Sequence, residues 1–424
     1  MTTTPHDAGS RLARLLRSSA GIAIAMGVMN VGTYGFQIVS ARLLGPGQYG
    51  ALAGVVALLM VLSVVQLGLQ ATSARRIAAD PEHVAAVEAA VLRTAWRAAF
   101  VLGIVTLLAA PVVMRLLRLD GILPALLMGL SVVPITVMGA QAGVLQGERR
   151  WLPLSLIYLA VGVPRLVLGL AFLLVSGSET SAMLAILVSS WAPVVVGAWA
   201  LGRHPRRASG LHESEIRHDV LRETVGSSIA LLAFFALSNL DVVVARGVLD
   251  AHDAGLYAGG LIVTKAVLFL PQFAVVVLFP SMSEGTESRA ALAKGMAFLS
   301  LLGAACVAGA YLLSELALVF IGGDDYVGVQ DRLWMFAVLG ALLSLLQLLV
   351  YAGIASRGVA TKYLVGIGVA ALVALGSTTS TVTGLATMVA AVDLAVLVVL
   401  VALQVLRHRR PGREHDERDL DPTR

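Results

Sequence analysis

Arg165, Asp241, Lys265, Glu315 and Asp393 share an awkward position, because each ionisable group falls inside a long apolar stretch of the chain. An ionised side chain within hydrocarbon costs several kcal/mol unless it meets a counter-charge, a polar cavity or water, so such residues mark a pathway or a partner. Counting about 1.5 Å per residue from the nearest turn places Asp241 about 12 Å and Lys265 about 16 Å into their two runs. On antiparallel neighbours those depths allow an ion pair, either purely structural or one that a competing anion opens; Lys265 could equally snorkel to the surface. Arg165 and Asp393 fall near the middle of their runs, where they could pair with each other, line a cavity, or face other helices. Glu315 lies within a few turns of a run's end and reads as interfacial, and Arg97 lies close to an interface. Asn30, Tyr34 and Gln37, together with Gln66 and Gln70, put uncharged polar groups on the first two runs, and such groups either bind a polar ligand or tie helices together.

Chemistry that makes or breaks bonds has no comparable footing. No Gly-x-x-x-x-Gly-Lys-Ser/Thr loop is present to cradle nucleotide phosphates. No His-Glu-x-x-His or His/Cys cluster offers a metal site, and no Gly-x-Ser-x-Gly elbow presents a nucleophile. The single cysteine, Cys306, excludes an intrachain disulfide. The sequence reads as a non-enzyme without a cofactor, and no nucleotide-driven step is expected of it.

The elements that must position these residues follow from composition. Of the 424 residues 58% are hydrophobic and 13% charged, and the mean hydropathy is +0.86, a balance that no water-soluble core and surface can use. Apolar runs long enough to cross about 30 Å of hydrocarbon as helix lie near 18–41, 48–72, 94–116, 121–146, 152–176, 180–202, 219–247, 254–280, 292–321, 332–355, 361–378 and 382–406. Backbone polar groups cannot stay unpaired in lipid, and the pattern is continuous rather than alternating, so the expected fold is all-α, with about twelve transmembrane helices. The first run continues past signal-peptide length and is expected to stay as a span.

Lys and Arg gather in the N-terminal tail, the loops after even-numbered spans and the C-terminal tail, whereas the other side holds Arg42, Arg115, Arg118, Arg246 and Arg332. The asymmetry predicts cytoplasmic termini in a plasma (inner) membrane, with the arginines as topology anchors. Dispersed in short loops beside lipid, they call for no nucleic-acid partner.

"LLGPGQYG" (43–50) is a turn between two spans, with Pro46 and its flanking glycines ending one helix and starting the next. A related arrangement recurs half a chain later: "IVSARLLGPGQYGALAGV" (38–55) aligns with "VVVARGVLDAHDAGLYAGGL" (242–261), sharing Val-x-Ala-Arg and a Gly/Tyr/Ala cluster after the turn. Six spans per copy is an even number, which predicts two parallel six-helix halves around a central cavity. The expected parts are a cytoplasmic tail (1–17), a first lobe (18–202), a cytoplasmic linker (203–218), a second lobe (219–406) and a C-terminal tail (407–424).

Two stretches carry a family resemblance. "SARLLGPGQYGALAGVVALLMVLSVVQLGLQATSARRIA" resembles the first hairpin of polysaccharide-biosynthesis flippases, the Wzx type of the multidrug/oligosaccharidyl-lipid/polysaccharide (MOP) exporter superfamily. "SNLDVVVARGVLDAHDAGLYAGGLIVTKAVLFLPQFAVVVLFPSMSEG" resembles the seventh and eighth spans of the same family. The resemblance implies movement of a polyprenyl-pyrophosphate-linked oligosaccharide through a central, often cationic cavity between V-shaped lobes. It implies membrane lipids, a glycan polymerase and glycosyltransferases as partners. Arg165, Lys265, Asp241, Asp393, Asn30, Tyr34 and Gln37 are then the candidate cargo-binding residues. Two alternatives compete: a multidrug or cation antiporter of the same superfamily, against which stands the absence of a mid-span carboxylate in the first six spans, and a non-transporting scaffold of an envelope-synthesis complex. Major-facilitator transporters also have twelve spans, but their usual Gly-x-x-x-Asp-Arg is missing from the loop after span two, which reads "ATSARRIAADPEHVAAVEAA".

Overall fold

The computed structural model describes residues 19–202, 220, 224, 231–282, 288–355 and 359–408. The described residues contain α-helices, one 3-10 segment and no strand. Nine helical stretches among them are long and apolar enough to span a bilayer, and the first runs from Gly21 to Ala79. At about 1.5 Å per residue that stretch is far too long for one crossing, and it is broken at Gly45, where φ is 67° and ψ 173°. Only glycine adopts that combination freely.

Neighbouring helices show that the chain reverses there. Before the break, Gly32 packs on Gly162 and Phe36 on Gly169 of an ascending helix; after it, Gln66 packs on Gly139 and Ile77 on Gly147 of a descending one. Span one therefore runs from Ser19 to the break, and span two continues through Leu62 and the helix Val64–Ala79. Spans three to six are Val84–Leu117, Leu123–Gly147, Trp151–Val175 and Glu179–Gly202. In the second lobe span seven is Leu231–Val248. Span eight is Ala251–Met282, and span nine is Ser288–Leu312 prolonged by Ser314–Ile321. After a 3-10 segment, Asp324–Arg332, come spans ten to twelve: Leu333–Ala355, Val359–Gly376 and Val382–His408. The linker expected at 203–218 and both tails lie outside the described residues. The end of the bundle that carries Gly45 is its distal end, and the end near Ser19 and His408 its proximal end.

Packing within the lobes follows membrane rules, because lipid tails solvate apolar side chains as well as protein does. On span three the apolar side chains Phe100, Ile104, Leu108 and Val112 recur every four residues on one face, and Leu108 is 76% exposed. In water that face would be a large unpartnered apolar patch; in a bilayer it meets acyl chains. Small residues do the opposite work on span four, whose Gly139, Gly143 and Gly147 are one turn apart. A Cβ on any of them would strike Gln66, Gln70 or Ile77 of span two.

The apolar core is shared unequally between the two lobes. One continuous buried cluster joins distal residues of the first lobe, such as Phe36, Tyr49, Leu52, Leu117 and Met183, to the second lobe's Tyr257, Tyr326 and Phe336. The proximal half of the first lobe has a core of its own, including Leu69, Val91, Val144, Ile157 and Leu201, which holds no residue of the second lobe's described spans. The lobes thus meet at the distal end.

Candidate functional site

Span seven does not run straight. The helix lapses into a turn at Ser238 and Asn239, where Asn239 has φ −137°, and restarts at Leu240. A break of this kind strips backbone carbonyls of their helical donors, and in a water-poor interior each needs another. Lys265 of span eight supplies one: its ammonium donates to the Ser238 carbonyl and to Asn239 Oδ1 at 3.0 Å. Asn239 in turn donates to Phe235 O at 2.8 Å, so the side chains rebuild locally what the backbone lost.

Asp241 sits just past the break and is buried. One carboxylate oxygen accepts the Val242 N–H at 2.9 Å, and the other accepts the Tyr257 hydroxyl at 3.1 Å. Tyr257 is itself enclosed, its ring edge-on to Phe336 with centroids 5.3 Å apart. The expected Lys265–Asp241 ion pair is therefore not a contact: the kink lies between the two residues and offers the ammonium nearer acceptors. They act on one another through the intervening space.

Asp393, on span twelve, completes the cluster. It has no exposed surface, neither carboxyl oxygen finds a hydrogen-bond partner among the described residues, and it lies near enough to Asp241, Lys265 and Tyr257 to interact with them electrostatically. Two buried carboxyl groups and one part-buried ammonium thus stand near one another inside the second lobe. Asp393 does not pair with Arg165, the other possibility its depth allowed.

Arg165 belongs to the first lobe, on span five immediately after Pro164. Around it Gly162 packs on Met29, and Leu166 on Gly35, of span one. Its Nε is buried and has no hydrogen-bond partner among the described residues. Among the described residues no carboxylate is placed to offset its charge. A guanidinium so placed is an uncompensated cation, and the chemistry it invites is the binding of an anion.

The polar residues of the first two spans divide. Tyr34 donates its hydroxyl to Ile262 O of span eight at 3.0 Å and sets its ring edge against Phe269, so it ties the lobes together. Gln70 donates to Gln146 Oε1 and to the Tyr158 hydroxyl, both at 3.0 Å, tying spans two, four and five. Asn30 and Gln37 are half-buried on span one. Glu315 is exposed in the first turn after the break in span nine, in keeping with an interfacial place.

Sequence reasoning missed Tyr257, whose signal was its place in the Gly-x-Tyr cluster of the repeat. It also took Arg246 for a surface anchor, whereas Arg246 is 4% exposed. Its side chain lies between the lobes, within hydrogen-bond reach of three carbonyls of the first lobe.

Twelve passes in two six-helix lobes that meet at one end, with ionisable groups held inside each lobe, define a class: multi-pass membrane proteins with the fold of MOP-superfamily transporters. Solved structures agree. An inward-facing multidrug-resistance MATE transporter of that superfamily superposes with a TM-score of 0.70 at 16% identity, covering 91% of this chain and 98% of the other. An outward-facing structure gives 0.60 at 18% identity over 96% and 98%. A Pyrococcus furiosus MOP transporter, described as having a binding pocket of reverse polarity, gives 0.53 at 18% identity over 96% and 98%. No curated protein sequence matches the chain. Residues 15–286 match the family described as polysaccharide biosynthesis protein, and the chain belongs to that family.

Proposed function

We propose that this protein is a flippase that moves a polyprenyl-pyrophosphate-linked oligosaccharide across the plasma membrane, both termini lying in the cytoplasm. Membership of the polysaccharide biosynthesis family supports a transporter serving glycan assembly. One observation carries the finer reading: Arg165 is a half-buried cation with a buried Nε, for which the described residues supply no counter-charge, in a lobe whose sequence has no mid-span carboxylate. A diphosphate is the anion a lipid-linked sugar carries, and Arg165 is the residue placed to meet it. Lys265, Asp241 and Asp393 form the answering charges of the second lobe, and Asn30 and Gln37 offer amides to sugar hydroxyls. Glycosyltransferases that build the cargo and a polymerase that consumes it are the expected partners.

The test is complementation of a flippase-deficient strain, read beside the melting temperature of each purified variant. Arg165→Ala should lose transport while its melting temperature stays level or rises, because the guanidinium makes too few partners to stabilise the fold. Arg165→Lys should keep part of the activity. Full transport by Arg165→Ala would overturn the reading. A second reading, export of an organic cation, is favoured by the partnerless carboxylate of Asp393; it requires that Asp393→Asn abolish drug resistance in cells that Arg165→Ala leaves resistant.

A further inference from the structure

Arginine side chains at the distal end cross between the lobes in both directions. Arg246 of span seven reaches into the first lobe, donating from Nε to Leu117 O at 2.9 Å, from Nη2 to Arg118 O at 3.0 Å and from Nη1 to Gly47 O at 3.4 Å. Leu117 and Arg118 close span three, so these are carbonyls for which the helix has no donor. Arg118 answers from the first lobe, donating from Nη2 to Gly247 O at 2.7 Å and from Nη1 to Leu249 O at 3.1 Å, at the end of span seven. It is held for this at a left-handed φ of 50°. Each arginine therefore caps the carbonyl end of the helix that carries the other, where a cation also meets the negative end of the helix dipole.

The arrangement is repeated about the axis that relates the lobes. Arg42 stands in the first copy of Val-x-Ala-Arg where Arg246 stands in the second, and its Nη2 donates to Val319 O at 2.9 Å, near the end of span nine. Span one thus grips the end of span nine as span seven grips the end of span three. Between these grips the backbones touch: a Cβ on Gly255 would fall on the Pro46 carbonyl, and one on Gly50 would strike Gly255. The Tyr326 hydroxyl donates to Ala41 O at 3.2 Å in the same seam.

We propose that Arg246, Arg118 and Arg42 form a latch that holds the lobes together at the distal end, and that its release opens the cavity to that side. All their acceptors but one lie at a helix end, and all lie on the opposite lobe, so parting the lobes breaks every bond together. The carbonyls then take water while the arginines remain at the membrane surface. The latch is thus a two-state element, and it works whatever the cargo is.

The experiment places spin labels at Gly121→Cys and His252→Cys across the distal seam, and at Gly202→Cys and Val405→Cys at the proximal ends of spans six and twelve, in a Cys306→Ser background. A Cβ on Gly121 or Gly202 meets nothing within 4 Å, and His252 is exposed, so the labels fit. Arg246→Ala and Arg118→Ala should each raise the ratio of long to short distal distances at least tenfold, with the proximal distances shortening in step. Arg246→Lys keeps the charge but cannot bridge three carbonyls, and should fall between. Arg118 is exposed, so its variant tests the latch even where Arg246→Ala does not fold. Distal distances unchanged in a folded Arg118→Ala protein would overturn the proposal.

Discussion

Replacing Lys265 by Met separates the chemistry the sequence suggests from the chemistry the fold builds. The substitution keeps the length of the side chain but removes the ammonium. It leaves Ser238 O and Asn239 Oδ1 without a charged donor, and hydrogen bonds to charged groups contribute about 1.5–3 kcal/mol each. It also withdraws the one positive charge that the described residues set beside Asp241 and Asp393. Breaking a buried charge constellation by removing one member costs about 3–5 kcal/mol, and the loss here belongs in that range. At about 2 °C per kcal/mol for a larger domain, the melting temperature should fall by on the order of 6–10 °C. The strain then falls unequally. Asp241 keeps donors from Val242 and Tyr257, whereas Asp393 has none. Adding Asp393→Asn to Lys265→Met should therefore restore most of the lost stability, and adding Asp241→Asn should restore less, because it replaces one of the two oxygens that accept from Val242 and Tyr257 with an amide nitrogen. Thermal unfolding of the three purified variants, beside the parent protein, is the assay. Equal or better rescue by Asp241→Asn would refute this reasoning and restore the direct Lys265–Asp241 pair.

Gly139→Ala should cost about 1–3 kcal/mol by overpacking, since its Cβ would overlap the backbone of Gln66, whereas Gly366→Ala meets open space and should be neutral or gain up to about 1 kcal/mol from helix propensity; unfolding midpoints decide between them. In the Cys306→Ser background, cysteines at Gly210 and Arg413 should react with an impermeant thiol reagent only from the cytoplasm, and one at Asp325, which is exposed, only from outside. External labelling of Gly210 in intact cells would reverse the orientation.

The spans were legible because composition leaves so apolar a chain no other state, and the turn at Gly45 because Gly-Pro-Gly between apolar runs has few other uses. The paired lobes were legible from Val-x-Ala-Arg and Gly-x-Tyr, which the fold places in corresponding hairpins. What sequence could not give was the neighbour of each charge. Depth along a helix places Asp241 and Lys265 at similar levels, but the break at Ser238 and Asn239 lies in an ordinary "LSNLD" and redirects the ammonium. The depths of Arg165 and Asp393 match as well, yet the two belong to different lobes. Arg246 read as an anchor because charge near a span end usually faces water; only the assembled seam shows that its partners are carbonyls some 130 residues away.

The division of the apolar core has a consequence for how the chain is made. The proximal core of the first lobe draws on spans two to six together with Val220, so a nascent chain owns nearly all of that core before span seven leaves the ribosome. The distal side has no such independence: Gly47, Leu117 and Arg118 offer carbonyls whose donors are still unsynthesised, and Gly50 faces a groove that Gly255 has yet to fill. A half-made protein therefore presents a firm base and an unfinished crown. Quality-control factors that recognise bare backbone near the membrane surface would find their substrate at the crown until span eight arrives to cover it.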